Sequence, residues 1–113
     1  MPYVREEIRE RLRDSIHSLV LAIKSETRDN ADDIWGILNY VVVTLIHDTV
    51  VARFTKWRYH LLNSAVGVFE SAKLEFYRRC VVPYEEMKIL VEGDIDSFVE
   101  YRRYTGPGRV RVS

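Results

Sequence analysis

Four carboxylates, Glu70, Glu75, Glu92 and Asp94, are the residues of this 113-residue chain that most invite a reaction. Clustered carboxylates on paired helices hold magnesium for pyrophosphohydrolysis of a nucleoside triphosphate, provided that their oxygens converge in near-octahedral geometry. Glu70 and Glu75 are five residues apart, about 140° around a helix, so one helix does not aim both at one ion. The E-x-x-E and E-x-x-D spacing of such all-α enzymes is absent among the four, and EGD at residues 92–94 is only an echo of it. His17, His47 and His60 show neither H-E-x-x-H nor Cys/His spacing, so no zinc site is expected. No G-x-G-x-x-G, P-loop or G-x-S-x-G occurs. These residues predict no catalytic, metal or cofactor-binding set.

A second chemistry is binding. The segment RFTKWRYH interleaves basic and aromatic residues at Arg53, Lys56, Trp57 and Arg58, and Arg102, Arg103, Arg109 and Arg111 follow near the C-terminus. Arginines beside stackable rings suit single-stranded nucleic acid. A net charge of zero, 17 basic against 17 acidic residues, favours the plainer reading of a helix junction anchored by Trp57.

Two further charges interrupt apolar stripes: Asp48 in the second helical segment and Lys73 in the third. An isolated buried charge is expensive, so the expected arrangement is an Asp48 to Lys73 contact, with Glu70 or Tyr77 as secondary partner. The alternative is that Lys73 reaches outward along its own stem. Structural pairing outranks a functional site here, because ion-pair networks also gather charged residues.

The elements that position these residues follow from apolar spacing. Val4, Ile8, Leu12, Ile16, Leu19 and Ile23 fall at a 3.6-residue period and predict a first amphipathic helix. The cluster SETRDNADD, residues 25–33, reads as a loop with Asp32 or Asp33 as cap of the next helix. From Ile34 to about Phe54 the β-branched content would suit strands, but helical spacing places Ile34, Ile37, Leu38, Val41, Leu45 and Ala52 on one stripe. Val42, Val43, Ile46 and Val50 lie on the other side. A helix apolar nearly all round must be buried on two sides, and few long helices exist here to cover it. A homo-oligomer with those four residues in the subunit contact is therefore expected.

After a connector at Thr55–Tyr59, a third helix carries Leu62, Ala65, Val66, Phe69, Ala72, Phe76 and Cys80 on its apolar face, with Ser64, Ser71, Glu75 and Arg78 pointing away. Cys80 is expected to be packed. Pro83 should stop or kink that helix and open a short fourth one from Tyr84 to about Val91, ended by Gly93 and Asp94. Residues 95–104 predict one more short helix, and residues 105–113 a flexible tail. The expected fold is all-α: one domain over residues 1–104, a bundle of three main helices with one or two short C-terminal ones.

Asn63, Gly67, Glu70, Ala72, Lys73, Glu75, Tyr77, Arg78, Arg79, Pro83, Tyr84, Glu85, Lys88, Gly93 and Asp94, with Leu38–Tyr40 and Met1–Tyr3 upstream, form a fixed pattern. It resembles a family of short proteins of unknown function from bacteria, archaea and their viruses. Phe69, Glu86 and Glu92 depart from the usual leucine, aspartate and asparagine of that pattern. The resemblance implies a fold and a virus or mobile-element context, not a reaction.

Composition bounds the rest. At 47% apolar the chain reads as one globular domain. A single cysteine needs no oxidising compartment, and the charged N-terminus has no apolar h-region, so a cytoplasmic protein is expected. The polar residues Asn39, Thr44, His47, Asp48 and Thr49 argue against a membrane span. Thirteen arginines against four lysines, and no glutamine, suit a heat-adapted source.

Overall fold

The computed structural model describes residues 4–99, of which 86% are helical, with no strand among them. Four helices follow in order: α1 Glu6–Glu26, α2 Ile34–Phe54, α3 Tyr59–Phe76 and α4 Val82–Glu92. A further turn of helix begins at Asp96, its amides at Phe98 and Val99 both donating to the Ile95 carbonyl. The expected tail at residues 105–113 lies outside the described residues.

The β-branched run of α2 folds as helix, because its apolar residues recur at helical spacing on every side rather than alternating as a strand requires. Its start differs from expectation. Asn30, not Asp32 or Asp33, supplies the side-chain cap: its Oδ1 accepts from the Asp32 amide at 3.1 Å and opens a 3-10 turn over Ala31–Asp33 that leads into α2. The preceding loop is shorter than expected, since α1 runs on to Glu26, and Thr27 closes it by donating to the carbonyls of Ile23 and Lys24.

The chain divides into two compact units, residues 1–69 and 70–113. In the first, α1 lies against α2. Ile8, Leu19 and Ile23 of the α1 stripe and Ile34, Ile37, Leu38 and Val41 of the α2 stripe are half-buried, whereas Val4, Leu12 and Ile16 of the first are exposed. Leu45 and Ala52, expected on the α2 stripe, are exposed.

The α2 to α3 junction holds a local strain. Thr55 caps α2 with its amide on the Val51 carbonyl at 2.8 Å, but does so at φ 70°, ψ −33°. A β-branched residue at positive φ crowds its Cβ against the backbone, at a cost of about 1–3 kcal/mol. Thr55→Gly removes that crowding and gives back part of the gain as backbone entropy. A net stabilisation of about 1 kcal/mol is expected in urea unfolding, and a destabilised variant would show the conformation to be unstrained.

The second unit continues from α3 into α4 without stopping before Pro83, the first of the two outcomes expected there. Residues Tyr77–Val81 form a widened π turn instead, in which the Val82 amide donates to the Tyr77 carbonyl five residues back. The physical reason lies in the proline. An α-helix would drive the Pro83 ring into the carbonyl of Arg79 and leave that carbonyl without a donor, and one extra residue in the turn swings it aside. Pro83 then sits in the first turn of α4, where its missing amide is harmless. Gly93, at φ 85°, ends the helix in a conformation that other residues rarely adopt.

No described residue is buried. Cys80, expected to be packed, is exposed in the π turn.

Candidate interaction surface

In the first unit α2 and α3 line an open apolar groove of about 550 Å³. From α2 come Leu45, Ile46, Thr49, Val50 and Phe54, and from α3 Leu61, Ser64, Ala65 and Val68. The α3 residues stand at i, i+3, i+4 and i+7, one face of a helix. Of the apolar face that sequence spacing assigns to α3, only Ala65 lies here. Leu62, Val66, Phe69 and Phe76 of that stripe are exposed, whereas Ser64, expected to point away, lines the groove. Ser64 fits because its hydroxyl donates to the His60 carbonyl at 2.8 Å, four residues back, and so presents little polarity to the groove. Ala65 and Ser64 are small enough to form a floor between the bulkier Ile46, Val50 and Leu61.

The four expected contact residues divide between two surfaces. Ile46 and Val50 are half-buried in the groove, while Val42 and Val43 are 42% and 49% exposed outside it. In the connector, the Trp57 ring meets that of His47 at a centroid distance of 5.7 Å and is half-buried. Trp57 thus anchors a junction. Of the other nucleic-acid candidates, Arg53 lies over the Phe54 ring at 5.4 Å, Lys56 and Arg58 are exposed, and Arg102, Arg103, Arg109 and Arg111 fall outside the described residues.

Asp48 pairs with its neighbour His47 at 3.0 Å, and its side chain is 70% exposed. Lys73 pairs with Glu70, three residues before it, at 3.7 Å, and its side chain is 72% exposed. Asp48 belongs to the first unit and Lys73 to the second. Tyr77 is exposed at the start of the π turn.

Three carboxylates of the second unit are paired with cations close by in sequence. Glu75, whose side chain is only 17% exposed, is clasped by both Arg78 and Arg79, and Lys88 pairs with Glu92 at 3.3 Å while lying over the Tyr84 ring. Glu70, Glu75 and Glu92 each therefore face a cation three or four residues away. Among the described residues no three histidine, cysteine or acidic side chains converge in a way that would hold a metal. What this arrangement offers chemically is apolar surface, with polar groups spent on local helix pairing.

A family profile for a domain of unknown function, DUF6899, matches residues 1–95. No curated protein and no solved structure matches the chain. The profile spans all four helices and the fixed pattern of charges, π turn and proline that joins α3 to α4, and the chain belongs to this DUF6899 family.

Proposed function

We propose that the chain is a self-associating helical module that acts by assembly rather than by a reaction of its own. One observation carries the reading: α2 is apolar nearly all round, yet no described residue is buried. A folded domain of this size retains its helices by burying apolar surface, since isolated helices are marginal in water. A second copy supplies the missing cover from the same sequence, which is the commonest way that soluble chains assemble. Glu70, Glu75 and Glu92 are each paired with a cation three or four residues away.

Mass measurement by light scattering or sedimentation at micromolar concentration tests this. The expected result is a multiple of 13.3 kDa with a fully helical far-UV spectrum. A monodisperse helical species of 13.3 kDa overturns the proposal. The stretch Ala31–Phe54 is also long and apolar enough, by length and composition, to cross a membrane. The His47–Asp48 pair in its second half weighs against that course, because an ionisable pair within hydrocarbon is costly. Flotation with phosphatidylcholine vesicles separates the two, and quantitative recovery with the vesicles would replace assembly in water by insertion.

A further inference from the structure

From the N-terminal half of α1 we infer that this helix is the docking face for an acidic amphipathic helix of a partner protein, at a surface separate from the α2–α3 groove and independent of self-association. The face is an open hollow of about 410 Å³ lined by Val4, Leu12 and Ile16 together with Arg9 and Arg13. Its apolar residues are uncovered: Val4 is 48% exposed, Leu12 50% and Ile16 59%. Leu12, Ile16 and Val20 stand at i, i+4 and i+8, and Arg5, Arg9 and Arg13 run beside them at the same interval. Over residues 5–20, the sector of about 140° from Ile8 round to Arg13 holds apolar and arginine side chains and no carboxylate. Among the described residues none of these three arginines is in an ion pair. A guanidinium beside apolar surface that is closing against a partner needs a carboxylate, which its planar fork accepts in two parallel hydrogen bonds.

Charge decides the occupant. A second copy docked through this same face across a two-fold axis would set the arginine row against its own mate, because an isologous contact brings a flank against itself. Like charges would then be pressed together as the apolar surface closed. An anionic lipid surface is disfavoured for a different reason. It acts over a Debye length of about 8 Å, close to the roughly 10 Å width of a helix, so it meets the four arginines of residues 5–14 together with the four carboxylates there. A single helix lying in the hollow reaches the arginine row alone. Apolar residues one turn apart fill the space between Leu12 and Ile16, and carboxylates at the same interval meet Arg9 and Arg13.

Fluorescence anisotropy of the full chain with a labelled synthetic helix tests this. The probe carries leucines at i, i+4 and i+8 with a glutamate three residues before each, and its control has lysine in place of every glutamate. The glutamate peptide is expected to bind at least tenfold more tightly, with an affinity that falls as salt is raised. Arg9→Glu with Arg13→Glu is expected to reverse the preference at parental mass and far-UV spectrum. Arg9→Gln with Arg13→Gln, which adds no like charges to the helix, is expected to abolish it. Equal binding of the two peptides, no binding of either, or variants that keep the parental preference overturn the proposal. So does flotation of the parent, but not of the Glu variant, with phosphatidylserine vesicles, since the face is then a lipid contact. A Glu variant of altered mass overturns it as well, by making the face a contact between copies. A monomeric parent removes the self-association reading and leaves this one standing.

Discussion

Val50→Asp is expected to lower stability by about 3–5 kcal/mol, enough to remove most of the folded population of a marginally stable domain. Val50 stands half-buried in the α2–α3 groove, whose lining supplies hydroxyls but no cation. A carboxylate closed into that site by a second copy would be desolvated without a partner. Were the groove to stay open to water, the new side chain would turn outward and the change would fall within about 1 kcal/mol, as surface substitutions do. The size of the loss therefore reports whether the groove is covered. Urea unfolding followed by far-UV circular dichroism measures it, with Val50→Thr as the shape-conserving control. A Val50→Asp chain unfolding with the parent would sink the claim that this face is covered in solution.

The second large effect is on the dependence of unfolding on protein concentration. When folding requires association, mass action links stability to concentration, and a hundredfold dilution removes about 2.7 kcal/mol from a dimer. Spread over a two-chain cooperative unit, this shifts the thermal midpoint downward by about 5–10 °C. Melts at 1 µM and 100 µM, or any pair of that ratio, provide the comparison. A lone folded chain gives superimposable curves. Thr55→Gly acts within one chain, so its gain should persist at every concentration.

The contrast between these expectations and the locally paired charges is physical. Exposed pairs at i, i+3 and i, i+4, such as Lys73 with Glu70 or Lys88 with Glu92, are worth about 0.2–0.5 kcal/mol each and weaken with salt. They order a helix surface. Apolar area removed from water contributes roughly 25 cal/mol per Å², so covering even the rim of the groove outweighs all of these pairs together. Stability in this protein is therefore expected to respond to the groove far more than to the charged motif, although the motif is what makes the sequence recognisable.

Helical identity was determined by the sequence alone. The 3.6-residue recurrence of apolar side chains held through the β-branched run of α2, the span Ile34–Phe54 was read at its ends, and Glu75 stood at the spacing that pairs it with Arg78 and Arg79. Gly93 marked the end of α4 because only a residue without a Cβ enters positive φ freely. These are local facts, decided by neighbours within about five residues. The family pattern was legible for the same reason, since it is a string of helix pairs and a proline rather than a site gathered from distant segments.

Tertiary structure decided the faces. Spacing gave α3 an apolar stripe through Leu62, Ala65, Val66 and Phe69, but of these only Ala65 lines the groove with α2, beside Leu61, Ser64 and Val68. The connector between the two helices, with Thr55 at positive φ and the Trp57 ring against His47, has no periodicity from which to read that orientation. The π turn before Pro83 was hidden likewise: a proline reports that an α-helical bond is lost, not whether the chain breaks or widens to absorb it. Packing of Cys80 failed as an expectation because helical spacing says which residues share a face, whereas only the neighbouring elements determine whether that face is covered.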